Sequence, residues 1–495
     1  MAEGNKSLPY GIFHTVRACF RRLGLYEFLD GLKDRGVPLS FVIELMCVYQ
    51  LNGGSSMNEC GVLSDSVLVR EELCHGHRIT RKTIERSLSL LDLYFEETIV
   101  HLWNRLNEIY PDMPTDVYVD GSHIPREGSG AGVYTAAGEG GGTVQLQDQF
   151  MVAQLVESGL PVSVEVYRGN LNDPPQYADF VPQLMFLLKK GSMIIMDHGG
   201  SAKDLLHEIK DGEMDYLTRV RMNNSDIERI RREIGSAEYV GNGTMCIHHR
   251  FESSNRHTYL YFSVDRYIMG HLSAERKALR MMQMARDAKD FTENPDPRKV
   301  VKTVKNPFIK VKSVKVEVEM TLNPWLEEDV AKAIRETEKD DCGWFKLECS
   351  KGLTPLQALD LYRHRAGIEA LISSLKSVVN LKPLRVWSAS STRGAVLLGL
   401  IAQLCISMVR HDMEPDIVEK RVDGKVVRVE HKPSTATICK NLSHWTVVLI
   451  PKDGFRVERI FTDENDLTRR ISAVLERYRG CFDGLSRATG PWKAV

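Results

Sequence analysis

Tyr362, Arg365, Glu369 and Lys376 stand at offsets of 0, 3, 7 and 14 along one stretch of chain. At about 100° per residue, their side chains fall within roughly 60° of one helical face. A carboxylate between two cations and a phenol suits a phosphate-bearing ligand and a metal. Two more carboxylates belong with them. Asp120 closes the apolar run Val117-Tyr118-Val119 and precedes Gly121, and Asp197 closes Met193-Ile194-Ile195-Met196 and is followed by His198, Gly199 and Gly200. In an open sheet with helical crossovers, ligands bind beyond the carboxyl ends of the strands, so aspartates ending neighbouring parallel strands would converge. With a glutamate from a helix packed over that end, three carboxylates can hold two hard divalent cations that offset their mutual repulsion. One ion then activates an attacking oxygen and the other stabilises the leaving oxygen of a phosphodiester. The plainer readings are an ordinary turn residue for each aspartate and an amphipathic helix with an i,i+4 pair, Arg365 with Glu369.

The elements that must position these residues are legible in outline. Thr354, Pro355 and Gln357 make a capping box and a first-turn proline for a helix that runs through the row to Lys376. Leu361, Ile368, Leu371, Ile372, Leu375 and Val379 give it an apolar stripe. Strands are predicted at Val117–Asp120, Phe150–Val156, Val162–Tyr167, Met193–Met196 and Tyr216–Val220, with helices at Tyr177–Leu188 and Ala202–Ile209. Three tightly joined strands followed by strands alternating with helices is the element order of an RNase H-like α/β core, a mixed sheet flanked by helices.

Residues 1–110 read as a helical DNA-binding domain, with apolar periodicity through Phe13, Val16, Phe20 and Leu23. Thr80 caps a segment whose Arg81 and Lys82 resemble the start of a recognition helix, or else a solvated surface helix. The core is expected over 111–222 and again over 351–413. A mixed, β-rich insertion interrupts it at 223–350, with strands near Glu238–Phe251 and His257–Val264 and a charged helix from Met269 to Ala288. A C-terminal region, 414–495, carries a strand at Trp445–Ile450, a helix at Leu467–Tyr478 and a possible dimerisation role.

The chain has 495 residues, 43% hydrophobic and 26% charged, with a net charge of -1, enough for two to four domains. A DNA surface must therefore come from local clusters. Arg298 to Lys315 holds seven cations, Lys299, Lys302 and Lys305 among them, and no acid, which suits phosphate contact or a lysine-protected edge strand. Ten scattered cysteines fit a reducing cytoplasm, and no signal-like leader is seen. The apolar run Gly394–Val409 is too short and too polar for a membrane span and reads as a buried helix. Cys74-His75-Gly76-His77 and Cys246-Ile247-His248-His249 each lack a second half for zinc. The glycine-rich stretch Glu127–Gly142 lacks the ending of a phosphate-binding loop and reads as a long hairpin beside Asp120.

Tyrosine, two residues, arginine, three, glutamate, six, lysine: this spacing resembles the signature of the insertion-sequence four superfamily of DDE transposases, and the resemblance covers about residues 115–410. It implies that Asp120, Asp197 and Glu369 are the catalytic acids and the ligands of Mg²⁺ or Mn²⁺. It also implies that Tyr362, Arg365 and Lys376 contact DNA phosphates near the cut, and that Trp344 stacks on a flipped base, unless it is simply a core residue. The implied protein is a cytoplasmic, nucleoid-associated enzyme of a prokaryotic insertion sequence. It would bind terminal inverted repeats and target double-stranded DNA as a synaptic homodimer, free a 3′-hydroxyl by hydrolysis and transfer it to target DNA. Two alternatives stay open: an RNase H-like nuclease that cuts without joining, and a domesticated transposase acting as a DNA-binding protein.

Overall fold

The computed structural model describes residues 7–8, 10–54, 56, 59–61, 64, 76–126, 132–140, 143–252, 256–273, 276, 280, 342–382, 386, 388–422, 425–452, 456–461 and 465–480. Lys299, Lys302 and Lys305, with the rest of their basic run, lie outside the described residues, as does most of the charged helix expected from Met269. The chain forms two compact units, one made of Met1–Tyr216 with Leu361–Val495 and the other of Leu217–Asp360.

Among the described residues, the first unit opens with a two-residue strand, β1 (Ser7–Leu8), and the helices α1 (Tyr10–Arg22), α2 (Leu25–Gly31), α3 (Leu39–Leu51), α4 (Arg81–Leu93) and α5 (Phe95–Ile109). Ile12, Val16, Cys19 and Phe20 of α1 are fully or almost fully buried, the core stripe its periodicity predicts. The Arg17–Glu44 pair between α1 and α3 is buried with it at 2.9 Å. Thr80 caps α4 by accepting a hydrogen bond from the Thr83 amide at 3.2 Å.

The sheet follows: β2 (Val117–Pro125), β3 (Ala136–Gly140), β4 (Thr143–Leu155) and β5 (Pro161–Arg168). β4 runs antiparallel to β2, with Asp120 opposite Val152. Its other edge is shared, with β3 paired to Thr143–Gln147 and β5 to Asp148–Gln154. After α6 (Asp173–Met185), the strand β6 (Met193–Met196) lies parallel to β2, Val117 opposite Ile194. An antiparallel meander whose first strand takes a parallel neighbour through a helical crossover is the RNase H-like arrangement expected from the element order. β5 and β6 are buried on both faces, which is why they read as continuous apolar runs instead of alternating ones. α7 (Lys203–Asp211) and β7 (Asp215–Val220) complete this stretch.

The described strands of the second unit all pair antiparallel. This unit holds α8 (Asn224–Glu233), β8 (Glu238–Gly241), β9 (Thr244–Phe251), β10 (Arg256–Ser263) and β11 (Trp344–Cys349), in the order β7-β11-β10-β9-β8. Ile230, Ile247 and Leu260 form a small buried cluster, and Trp344 packs against it with its ring 5.5 Å from that of Phe262. His248 and His257 hydrogen-bond to each other at 3.0 Å, so His248, one of the histidines of the zinc-like segment, is engaged in a stacked aromatic ladder. α9 (Pro355–Arg363) begins with the expected capping box, Thr354 and Gln357 exchanging bonds of 3.0 and 3.2 Å.

The chain returns to the first unit at Leu361, within α9, and continues with α10 (Ala366–Ser377) and α11 (Ala389–Asp412). α11 is long and apolar enough to cross a membrane, but 94% of its apolar window is buried inside the protein. Gly394 lets it touch α4, because a Cβ there would collide with the backbone carbonyl of Leu88. A hairpin of β12 (Asp416–Val422) and β13 (Lys425–His431), then α12 (Thr435–His444), β14 (Val447–Lys452), β15 (Arg456–Phe461) and α13 (Asp466–Gly480), end the described chain.

Candidate active site and nucleic-acid interface

Asp120 is not a strand terminus. Its pairing partner β6 stops alongside Tyr118, while β2 runs on against β4 to Pro125, so Asp120 stands where the parallel ladder ends and the antiparallel one continues. Its Oδ1 accepts the Gly121 amide at 2.9 Å. Asp197 directly follows β6 and caps the 3₁₀ turn His198–Gly200, Oδ1 accepting the Gly199 amide at 2.8 Å. The buried Tyr177 of α6 donates its hydroxyl to the same Oδ1 at 3.0 Å, and that hydroxyl lies 3.3 Å from the Val119 carbonyl. Tyr177 thus ties the two aspartate-bearing strands together, a role the sequence gives no hint of beyond a tyrosine at the start of an expected helix. Asp173, in the first turn of α6, is a further carboxyl whose pKa is raised by burial and by Asp197.

The row from Tyr362 to Lys376 is not one helix. It breaks at His364–Arg365, where the amides of Arg365, Gly367 and Ile368 bond three residues back, at 3.4, 2.9 and 3.0 Å. Gly367, a poor helix former, sits in this tightened turn. The break frees Arg365 to point inward. Its Nη1 lies 3.8 Å from Asp120 Oδ2 and 3.9 Å from Asp197 Oδ2, and its Nη2 lies 3.6 Å from Glu369 Oε1. Tyr362 flanks it, the guanidinium 5.7 Å from the ring centre. Three carboxylates therefore face one guanidinium. Nη1 is buried and makes no hydrogen bond, because both aspartate oxygens stop short of bonding distance.

Burial raises the Asp120 carboxyl to about 6; Arg365 opposes the shift, and Asp197 and Glu369 add to it. Burial opposes the charge on Arg365, but Asp120, Tyr362 and Asp197 hold its pKa above the ordinary value. The cluster keeps an excess of negative charge and offers only hard oxygen donors, which fits divalent cations such as Mg²⁺ or Mn²⁺. Among the described residues no three His, Cys, Asp or Glu side chains stand close enough to share an ion, so holding metal requires these acids to draw together.

Lys376 reaches the outer half of β2, donating to Ser122 Oγ at 2.6 Å. Its pKa is lowered by burial and by Lys382, and that of His123 by burial, Lys376 and Lys382. At the end of β2, the fully buried Arg126 pairs with Asp148, and also donates to the Val386 carbonyl and to Thr392 Oγ1. Val386 in turn lines an open cleft of about 1310 Å³. Lys33, Arg35, Arg81, Lys82 and Arg86 line it too; Glu85 is the one acid among the described lining residues, and its carboxylate is paired to Arg81 at 2.8 Å. The sequence reading names Arg81 and Lys82 but misses Lys33 and Arg35, which are far away along the chain. Trp344, assigned to a base contact, is partly buried in the packing of the second unit.

The chain is similar in structure to the piggyBac transposase in a cryo-EM synaptic complex with hairpin DNA, with 10% sequence identity, a TM-score of 0.39, and coverage of 89% of this chain and 82% of that one. No curated protein matches its sequence. A family profile described as "Transposase DDE domain" matches residues 112–405, more than half of the chain, and that range contains Asp120, Asp197 and Glu369. The chain belongs to this transposase DDE domain family, whose members are metal-dependent enzymes that cut DNA and transfer its strands.

Proposed function

We propose that the chain is the transposase of a prokaryotic insertion sequence of the insertion-sequence four superfamily, acting on the element's terminal inverted repeats as a synaptic homodimer. The observation that carries this reading is the convergence of Asp120, Asp197 and Glu369 on one guanidinium. When bound, a pair of Mg²⁺ or Mn²⁺ ions supplies charge for an attacking oxygen and for the leaving oxygen. Asp120, Asp197 and Glu369 hold the ions. Gly121, Gly199 and Tyr177 fix one oxygen of each aspartate and leave the other turned toward the cluster. Lys376, Arg365 and Tyr362 neutralise and position the phosphates on either side of the cut. The basic cleft grips the backbone of the element end, with the start of α4 presented to a groove.

The test uses duplex ends copied from the DNA bordering the gene, both intact and pre-cleaved, with a target plasmid and Mg²⁺. The expected products are a nick at the element end and joined target DNA. Alanine at Asp120, Asp197 or Glu369 should lower both by about a hundredfold or more, while end binding stays within about threefold. Cleavage that persists in Glu369→Ala would remove that residue from the site. Hydrolysis without joining would leave a nuclease.

A further inference from the structure

Arg365 is held among the acids by charge and not by short hydrogen bonds. Its Nη1 is buried without a hydrogen bond, and its three carboxylate neighbours lie 3.6 to 3.9 Å away, too far for the short bidentate pairing arginine prefers. What it supplies is charge. Three carboxylates facing one point without a cation repel one another, and Asp197 and Glu369 both oppose ionisation of Asp120. The Arg365 and Asp120 side chains are each 16% exposed, so water screens that pair little, while Asp197 and Glu369, at 32% and 63%, face solvent more. The Arg365 backbone lies in the turn between α9 and α10, not in a helix interior, so a new side-chain position there need not unwind either helix. The Tyr362 ring beside it offers a surface along which the guanidinium can slide.

We propose that Arg365 is the resident counter-ion of the acid cluster, and that it yields this place to divalent cations when a DNA phosphate takes up its guanidinium. This rests on the reading of Asp120, Asp197 and Glu369 as the metal-holding acids. A metal ion and the guanidinium then compete for the same carboxylate oxygens. DNA relieves the competition by giving Arg365 a better partner, bidentate and charge-assisted. Metal loading and end binding become coupled, and the coupling is reciprocal: whatever factor DNA adds to metal affinity, metal adds to DNA affinity. The enzyme free of DNA stays poorly loaded, which protects bystander phosphodiesters from a charged active site.

Mn²⁺ binding to the full-length chain, read from the free-ion signal in electron paramagnetic resonance, tests this without any turnover. In Arg365→Ala and in Arg365→Gln, which keeps much of the size but loses the charge, Mn²⁺ should bind about tenfold or more tighter than in the wild type without DNA. Adding a duplex copied from the DNA bordering the gene should tighten Mn²⁺ binding by about tenfold in the wild type and by less than about threefold in either variant. Unchanged or weaker Mn²⁺ binding by a folded Arg365→Gln protein in the absence of DNA would overturn the proposal. Failure of the underlying reading looks different: Glu369→Gln would then keep full Mn²⁺ affinity whatever stands at position 365.

Discussion

Asp197 shows how much of a site depends on groups that never touch the substrate. One of its oxygens is held by the Gly199 amide and by the Tyr177 hydroxyl, and this fixes the direction of the other. Tyr177→Phe keeps the buried ring but removes that donor. It should cost about 1 kcal/mol of stability and slow single-turnover cleavage by about tenfold through misplacement of the carboxylate. A thermal melt and a quenched cleavage time course check the two halves separately. A cleavage rate equal to wild type would mean that the Gly199 amide alone orients Asp197. The aspartates themselves are readable in the sequence because an apolar run ending in Asp is a local pattern. Tyr177 is not, since its partners Val119 and Asp197 come together only when α6 folds back over the sheet.

At the scale of elements, the strands of the core were the most legible, Met193–Met196 to the residue, because buried parallel strands write an uninterrupted apolar run. The break between α9 and α10 was not. Apolar and polar spacing stays helical straight through His364 and Arg365, and only the i→i−3 bonds around Gly367 reveal the turn. The hairpin of β12 and β13 also escaped, since Asp416–His431 is rich in charge and lies mostly on the surface, with little alternation to read. The crossing of α4 and α11 depends on one missing side chain. Gly394→Ala puts a methyl into the Leu88 carbonyl, and the helices must part or shift. The expected loss is about 1–3 kcal/mol, seen as a lower midpoint in urea with an unchanged slope. A variant as stable as the parent would show that the two helices separate without cost. Ser390 on α11 and Ser89 on α4 meet at 3.1 Å in the same region, so the substitution should also perturb the wall of the basic cleft.

For the whole molecule, the net charge of -1 concealed a strongly basic surface, because the cations of the cleft are drawn from the loop after α2 and from α4, and its remaining wall from the start of α11. Charge reversal at Lys33, Arg35 and Arg86, three positions outside the acid cluster, should weaken binding to a bordering duplex by about a hundredfold at 0.1 M salt. It should also flatten the plot of log affinity against log salt by about three, one unit per lost phosphate contact. A slope unchanged within error would move the DNA elsewhere on the protein. The division into units carries a different consequence, one of timing. The chain leaves the first unit at Tyr216 and re-enters it at Leu361, so the acid cluster has two of its members long before the third. At roughly 5–20 residues per second, a ribosome needs on the order of ten to thirty seconds to synthesise the intervening unit. Throughout that interval the nascent chain carries Asp120 and Asp197 without Glu369 or Arg365. The nascent chain therefore cannot assemble the three-acid cluster until Glu369 has been made.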